Sequence, residues 1–357
     1  MVDLTGTFVL GATAITTVYA GCALAPRDKN VQGDEIVEIS WRHAVLFPVT
    51  ASAMLMMIFY MFWLVQYFLI GIILVSASIS AYDVQLTIIE RAYGWVPGRI
   101  SKLAAGVVVA NILILWAFGN WVANNLLGVV LAIQSISAMR FPNLKTAALS
   151  LMLLFLYDAF WVFGSEHIPL FEGRNVMVEV ATKTATNPVH EAGGALGWEW
   201  LKLLGNPRLQ LPIKLIFPSS ENSYQILGLG DIALPGILVN LAHQFDSSCS
   251  DRQMKEEKAP SAGATPQVAP LAMEEGGLPN PATLLVRGGS TSHDLFTHAI
   301  YGYSIGLFMA FSSSYVFNVA QPALIYLVPG TLLPLILKAH NAGVLSELWH
   351  GMKENSE

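Results

Sequence analysis

Charge is what this sequence has least of. Of its 357 residues only 12% are Asp, Glu, Lys or Arg, about half the share of a soluble globular domain, while 54% are hydrophobic. Mean hydropathy is +0.53. So few charges cannot clothe a water-exposed surface of ordinary size, which excludes a soluble enzyme and a nucleic-acid binder. The shortage is patterned as well. No charged residue occurs over 44–82, 103–139 or 295–337, and each stretch is roughly twice the ~20 apolar residues that cross a bilayer. That excludes a single-pass receptor and predicts a polytopic membrane protein. Cysteine is nearly absent. Cys22 in the first apolar stretch and Cys249 in a polar one offer no disulfide framework, and neither has metal-ligand company. No cofactor and no metal are expected. No basic residue precedes the apolar stretch 4–25, so it reads as a retained span rather than a cleaved leader.

What is present is a set of apolar runs that predicts an all-α polytopic membrane protein with nine transmembrane helices. They fall near 4–25, 44–62, 64–82, 103–121, 126–139, 146–165, 222–244, 295–317 and 319–339, with junctions at Trp63, Asn124–Asn125 and Asn318. Nine crossings put 14 of the 19 Lys and Arg on one side, leaving 5 on the other, all in one long loop. Positive residues mark the cytosolic side, so the N-terminus is expected to be lumenal or exterior and the C-terminus cytosolic. The chain divides into a five-helix part (1–145), two helices with a lumenal loop at 166–221 (146–244), a disordered cytosolic loop (245–294), two further helices (295–339) and a cytosolic tail (340–357). Within the lumenal loop, alternation over 175–182 and 209–217 predicts short strands. Trp41, Trp95 and Trp161 read as interfacial anchors.

Only two acidic side chains enter the spans, Asp158 in the sixth and Asp231 in the seventh, and no Lys or Arg joins them. A charge at the bilayer centre costs about 3 kcal/mol on insertion scales, so such residues normally have a partner or a task. Counted from the predicted helix ends, Asp158 lies roughly 9 Å and Asp231 roughly 13 Å from the outer face. Two adjacent carboxylates share one proton. One can then activate water while the other donates to a carbonyl, which is aspartic-protease chemistry. A proton relay in a transporter or channel and an acid pair tying two helices together use the same residues.

The surroundings separate these readings. Asp231 ends Gly228-Leu229-Gly230-Asp231, where glycines allow close approach of a backbone. Pro235 cannot donate to the Asp231 carbonyl, which leaves that turn open. Tyr157 precedes Asp158 and could bond a neighbouring carboxyl. The last span opens with Gln321-Pro322-Ala323-Leu324 and carries Pro329, Gly330 and Pro334, so it is deformable. Together, Tyr-Asp in span six, Gly-Leu-Gly-Asp in span seven and Pro-Ala-Leu in span nine resemble the presenilin and signal peptide peptidase group of intramembrane aspartic proteases. The orientation points to the signal peptide peptidase side. The runs at 175–182 and 214–220 look like its loop signatures, and Asn187-Pro188 with a short N-terminus looks most like the signal-peptide-peptidase-like 3 branch.

The resemblance implies a presenilin-like fold and a protease of type II transmembrane segments, with Asp158 and Asp231 as catalytic pair. Tyr157, Gly228, Leu229, Gly230, Gln321, Pro322, Ala323 and Leu324 would shape the site. Its partners would be substrate and membrane lipid, not nucleic acid, in the Golgi or endoplasmic reticulum, with homo-oligomerisation left open. An extended substrate is expected to add as a strand to 209–217 or 175–182, so that a proline at Leu215 abolishes cleavage.

Overall fold

The computed structural model describes residues 4–26, 37–94, 96–198, 207–218, 224–258, 294–317 and 321–351. Helices dominate: α1 (Leu4–Leu24), α2 (Trp41–Tyr93), α3 (Arg99–Ala117), α4 (Trp121–Ala138), α5 (Leu144–Ala159), α6 (Val176–Thr182), α7 (Pro188–Leu196), α8 (Gly230–Lys258), α9 (Leu295–Phe317), α10 (Leu324–Asn341) and α11 (Leu345–His350). Six short strands form three two-stranded ladders. They are β1 (Val37–Glu38) with β2 (Met139–Arg140), parallel, then β3 (Ala185–Thr186) with β4 (Arg208–Leu209) and β5 (Lys214–Pro218) with β6 (Tyr224–Gly228), both antiparallel. Among the described residues, seven helices are long and apolar enough to cross a membrane. The chain is a mostly helical polytopic membrane protein.

Asparagine starts four of these helices. The side chains of Asn120, Asn143, Asn175 and Asn187 accept first-turn N–H groups, such as Thr146 N–H on Asn143 and Val178 N–H on Asn175, satisfying donors that a helix start leaves open. α2 stops at Gly94, whose left-handed conformation (φ 66°) is the usual glycine ending of a helix.

The expected second and third spans are one unbroken run, α2, with a break at Met61 (φ −120°, ψ 27°). If straight, 53 residues would reach about 80 Å. Instead, both ends meet the C-terminal end of α1. Ahead of α2, Ile39 N–H bonds the carbonyl of Arg140, whose guanidinium reaches Pro26 O. At the far end, Arg91 donates to the carbonyls of Ala23, Leu24 (2.9 Å) and Ala25 (3.4 Å). α2 therefore doubles back at Met61. The turn is held from outside: Lys183 Nζ donates to Phe59 O (2.7 Å) and Ile58 O (3.3 Å) and lies over the Phe59 and Phe62 rings. Gln66 Oε1 accepts Thr186 N–H at 3.1 Å. Replacing Lys183 with Met strips these carbonyls of their donor. It is expected to lower stability by about 1–3 kcal/mol, read as a lower melting temperature in detergent.

Several expectations are corrected. Residues 176–182 are helix, not strand; the Asn175 cap and burial of Val176 outweigh the Val-x-Val alternation. Asn124 and Asn125 sit inside α4 rather than at a helix junction. The expected seventh helix splits into strand β6 and helix α8, and α8 continues to Lys258, so the polar stretch after 244 begins as helix; residues 259–293 lie outside the described ones. Trp161 is buried and donates to Ser52 Oγ (3.0 Å) instead of anchoring at an interface. Trp95 lies outside the described residues.

Candidate active site

Asp158 sits on the last turn of α5, buried, just before the helix widens into a π turn at Phe160–Gly164. π turns inside helices often mark functional positions. Asp231 lies in the first turn of α8, not midway along a span. β6 delivers it there: Leu229 N–H closes the hairpin on Ile213 O (3.0 Å), and Leu229 O then accepts Ile232 and Ala233 N–H to start the helix. The helices that carry the two carboxyl groups, α5 and α8, pack against each other, and α10 packs against both. Among the described residues no cluster of His, Cys, Asp and Glu could hold a metal ion.

The Gly-Leu-Gly-Asp and Pro-Ala-Leu motifs both lie at this pair or its supports. The Pro-Ala-Leu turn at the head of α10, which packs against α5, brings the Leu324 main-chain N–H near the Asp158 carboxyl. Pro322 and Leu324 are buried and Ala323 partly so, with Ala323 O accepting Tyr326 and Leu327 N–H (both 3.0 Å) to begin α10. Gln321 Oε1 accepts from Ser313 Oγ (2.8 Å) and Tyr326 Oη (2.7 Å), tying the end of α9 to the start of α10. A Cβ on Gly228 would stand 3.2 Å from Asp231 Oδ2, so the bare glycine leaves room for the carboxyl. Gly230 is exposed, and a side chain there would meet only Leu234, at 4.0 Å.

Tyr157 departs from expectation. Its hydroxyl makes no hydrogen bond among the described residues. Instead it lines a shallow groove with Pro48, Val49 and Ser52 of α2 and Trp161. Neighbouring helix residues point about 100° apart, so Tyr157 faces α2 while Asp158 faces α10. Tyr303 was missed. It is fully buried on α9 and its hydroxyl donates to Asp231 O at 3.4 Å, taking the carbonyl that Pro235 leaves without a helical donor. The only sequence cue was a tyrosine between Gly302 and Gly306.

The family model described as Signal peptide peptidase matches residues 31–355, nearly the whole chain. The chain belongs to the signal peptide peptidase family. Within that family, it is 30% identical over 372 residues to Signal peptide peptidase-like 1 of Oryza sativa subsp. japonica, covering 96% of this chain and 91% of the relative. The Arabidopsis thaliana protein of the same name is 31% identical over 370 residues (95% and 91%). Signal peptide peptidase-like 3 of rice is 26% identical over 375 residues, with 96% of this chain matched to 59% of the relative. The -like 3 branch is thus one of several that the chain resembles. No solved structure matches it. Membership of this family makes the chain an intramembrane protease, a hydrolase embedded in the membrane.

Proposed function

We propose that this signal peptide peptidase family member hydrolyses peptide bonds in or near the transmembrane segment of type II membrane proteins, with Asp158 and Asp231 activating water as a dyad. The observation that carries the reading is convergence: α5 with Asp158, α8 with Asp231 and α10 with the Pro-Ala-Leu turn at its head all pack against one another. One carboxyl acts as base on the water and the other donates to the scissile carbonyl. Nine crossings with a lumenal N-terminus suit the doubling back of α2 and an α8 whose N-terminal part is apolar. In that arrangement, the loop holding β3–β6 faces the lumen, and the Golgi or endoplasmic reticulum is the proposed location.

A helical substrate must unwind before hydrolysis, and unpaired backbone in lipid costs several kcal/mol per group. Strand β6 offers replacement partners. Its ladder with β5 pairs Leu215 with Leu227 and Phe217 with Gln225. Strand alternation then turns the main-chain groups of Ile226 and Gly228 outward, and neither has a further partner among the described residues. Ile226 is 42% exposed. A substrate strand laid on this edge runs toward Asp231.

The test is reconstitution of the purified protein in liposomes with a tagged type II single-span substrate. A cut within or beside the span, located by mass, is the expected result. Proton flux with no cut product, across a panel of such substrates, would move the dyad to a transporter.

A further inference from the structure

The polar pair Asn124–Asn125 lies within apolar α4, where an amide facing lipid is costly. Both side chains bond strand β5. Asn125 Nδ2 donates to Ile216 O (2.7 Å) while its Oδ1 accepts Ile216 N–H (2.9 Å). One donor and one acceptor on a single residue are what a neighbouring antiparallel strand offers at a hydrogen-bonded pair. Asn125 therefore fills the place of a third strand. One pleat earlier, Asn124 Nδ2 donates to Lys214 O (3.1 Å). Gly128, a turn on, keeps the surface flat: a Cβ there would lie 3.2 Å from Leu215 Cδ2 and 3.3 Å from Pro212 O.

The two edges of the hairpin are thus unequal. The β5 edge is closed by side chains of α4, and the β6 edge is open. A continuous run of main-chain bonds links the clamp to the chemistry, from Asn125 through Ile216 and the β5–β6 ladder to Leu229, two residues before Asp231. We propose that Asn124 and Asn125 are positioning residues that fix the register of this hairpin, and so select which peptide bond of a substrate on β6 reaches the dyad. The inference rests on the protease reading and on strand addition at β6. A hairpin freed from α4 can slip along its length, and slips that keep the same face inward come in steps of two residues.

The experiment compares product masses and rates for wild type, Asn125→Ala and Ile216→Pro on one type II substrate in liposomes. Ile216 N–H bonds only Asn125, so the proline removes that bond while leaving the ladder with β6 intact. Leu215→Pro breaks the ladder itself. Both clamp variants are expected to cut about tenfold more slowly or worse, since small misplacements cost up to about 10²-fold. They should spread the cut over sites two residues apart. Leu215→Pro is expected to yield no product at unchanged protein level. A clamp variant that cuts only at the wild-type bond overturns the inference, however slow it is, because loss of stability alone lowers the rate without moving the cut. Should Asn125→Ala fail to accumulate, Ile216→Pro and Asn124→Ala decide by the same readout. A wild type that cuts nothing is a failure of the protease reading instead.

Discussion

Asp158→Asn and Asp231→Asn are each expected to abolish peptide hydrolysis while leaving the protein folded. The amide matches the carboxyl in size. At position 158 it still offers an oxygen toward the Leu324 main-chain N–H, so the packing of α5 against α10 survives. What disappears is the exchangeable proton. An amide can neither take a proton from water nor pass one to a leaving nitrogen, and the remaining carboxyl works without its partner. Loss of one member of a catalytic unit costs on the order of 10⁴-fold or more, and removing the second adds little. The double variant should therefore be no slower than either single one. Melting temperatures should stay at or above that of wild type, because a buried acid pair is replaced by neutral groups. Turnover in either single variant within about tenfold of wild type would remove Asp158 and Asp231 from the chemistry.

The second large effect is expected at the crossing of α9 and α10. A Cβ on Gly302 would fall 2.2 Å from Gly330 O and 3.0 Å from Pro334 Cγ, and one on Gly306 would fall 2.8 Å from Tyr326 O. The main obstacles are backbone atoms, which no rotamer change can move. Gly302→Ala must push the two helices apart by about 1 Å to restore van der Waals contact. That shift carries the head of α10, and with it Leu324 N–H, away from Asp158. It also strains the Ser313–Gln321–Tyr326 tie. Activity is expected to fall about 10²-fold, and stability by about 1–3 kcal/mol as for other overpacked cores. Gly71→Ala and Gly106→Ala are the controls. A Cβ at either meets nothing within 4 Å, and alanine favours helix by about 0.5–1 kcal/mol. Wild-type turnover in Gly302→Ala would separate the glycine crossing from the site.

Much of this was legible because lipid is a strict solvent. Helix 295–317 was read at its observed ends, since an uninterrupted apolar run leaves little else for the backbone to do. The motif residues were legible as departures from that rule, namely acids, glycines and prolines where apolar helix formers belong. The misreadings share a cause. Residues 224–228 form a five-residue apolar strand entering an apolar helix, and composition alone merges the two. Asn124 and Asn125 looked like a junction because polar residues in a span suggest its end; they are polar because they serve a strand far along the chain. Tyr303 gave no signal of its role in the sequence, since its partner is a carbonyl on another helix.

The arginines at the end of α1 carry a consequence of their own. Arg91 and Arg140 were tallied as charges that bias membrane insertion, yet they also close carbonyls at residues 23–26. A charge that only biases insertion can be exchanged for another nearby. One that also terminates a helix is committed to its address. Once α1, α2 and α4 have met, re-threading any of them exposes those carbonyls, so assembly works as a latch behind translocation. Re-threading is easiest before those carbonyls are capped.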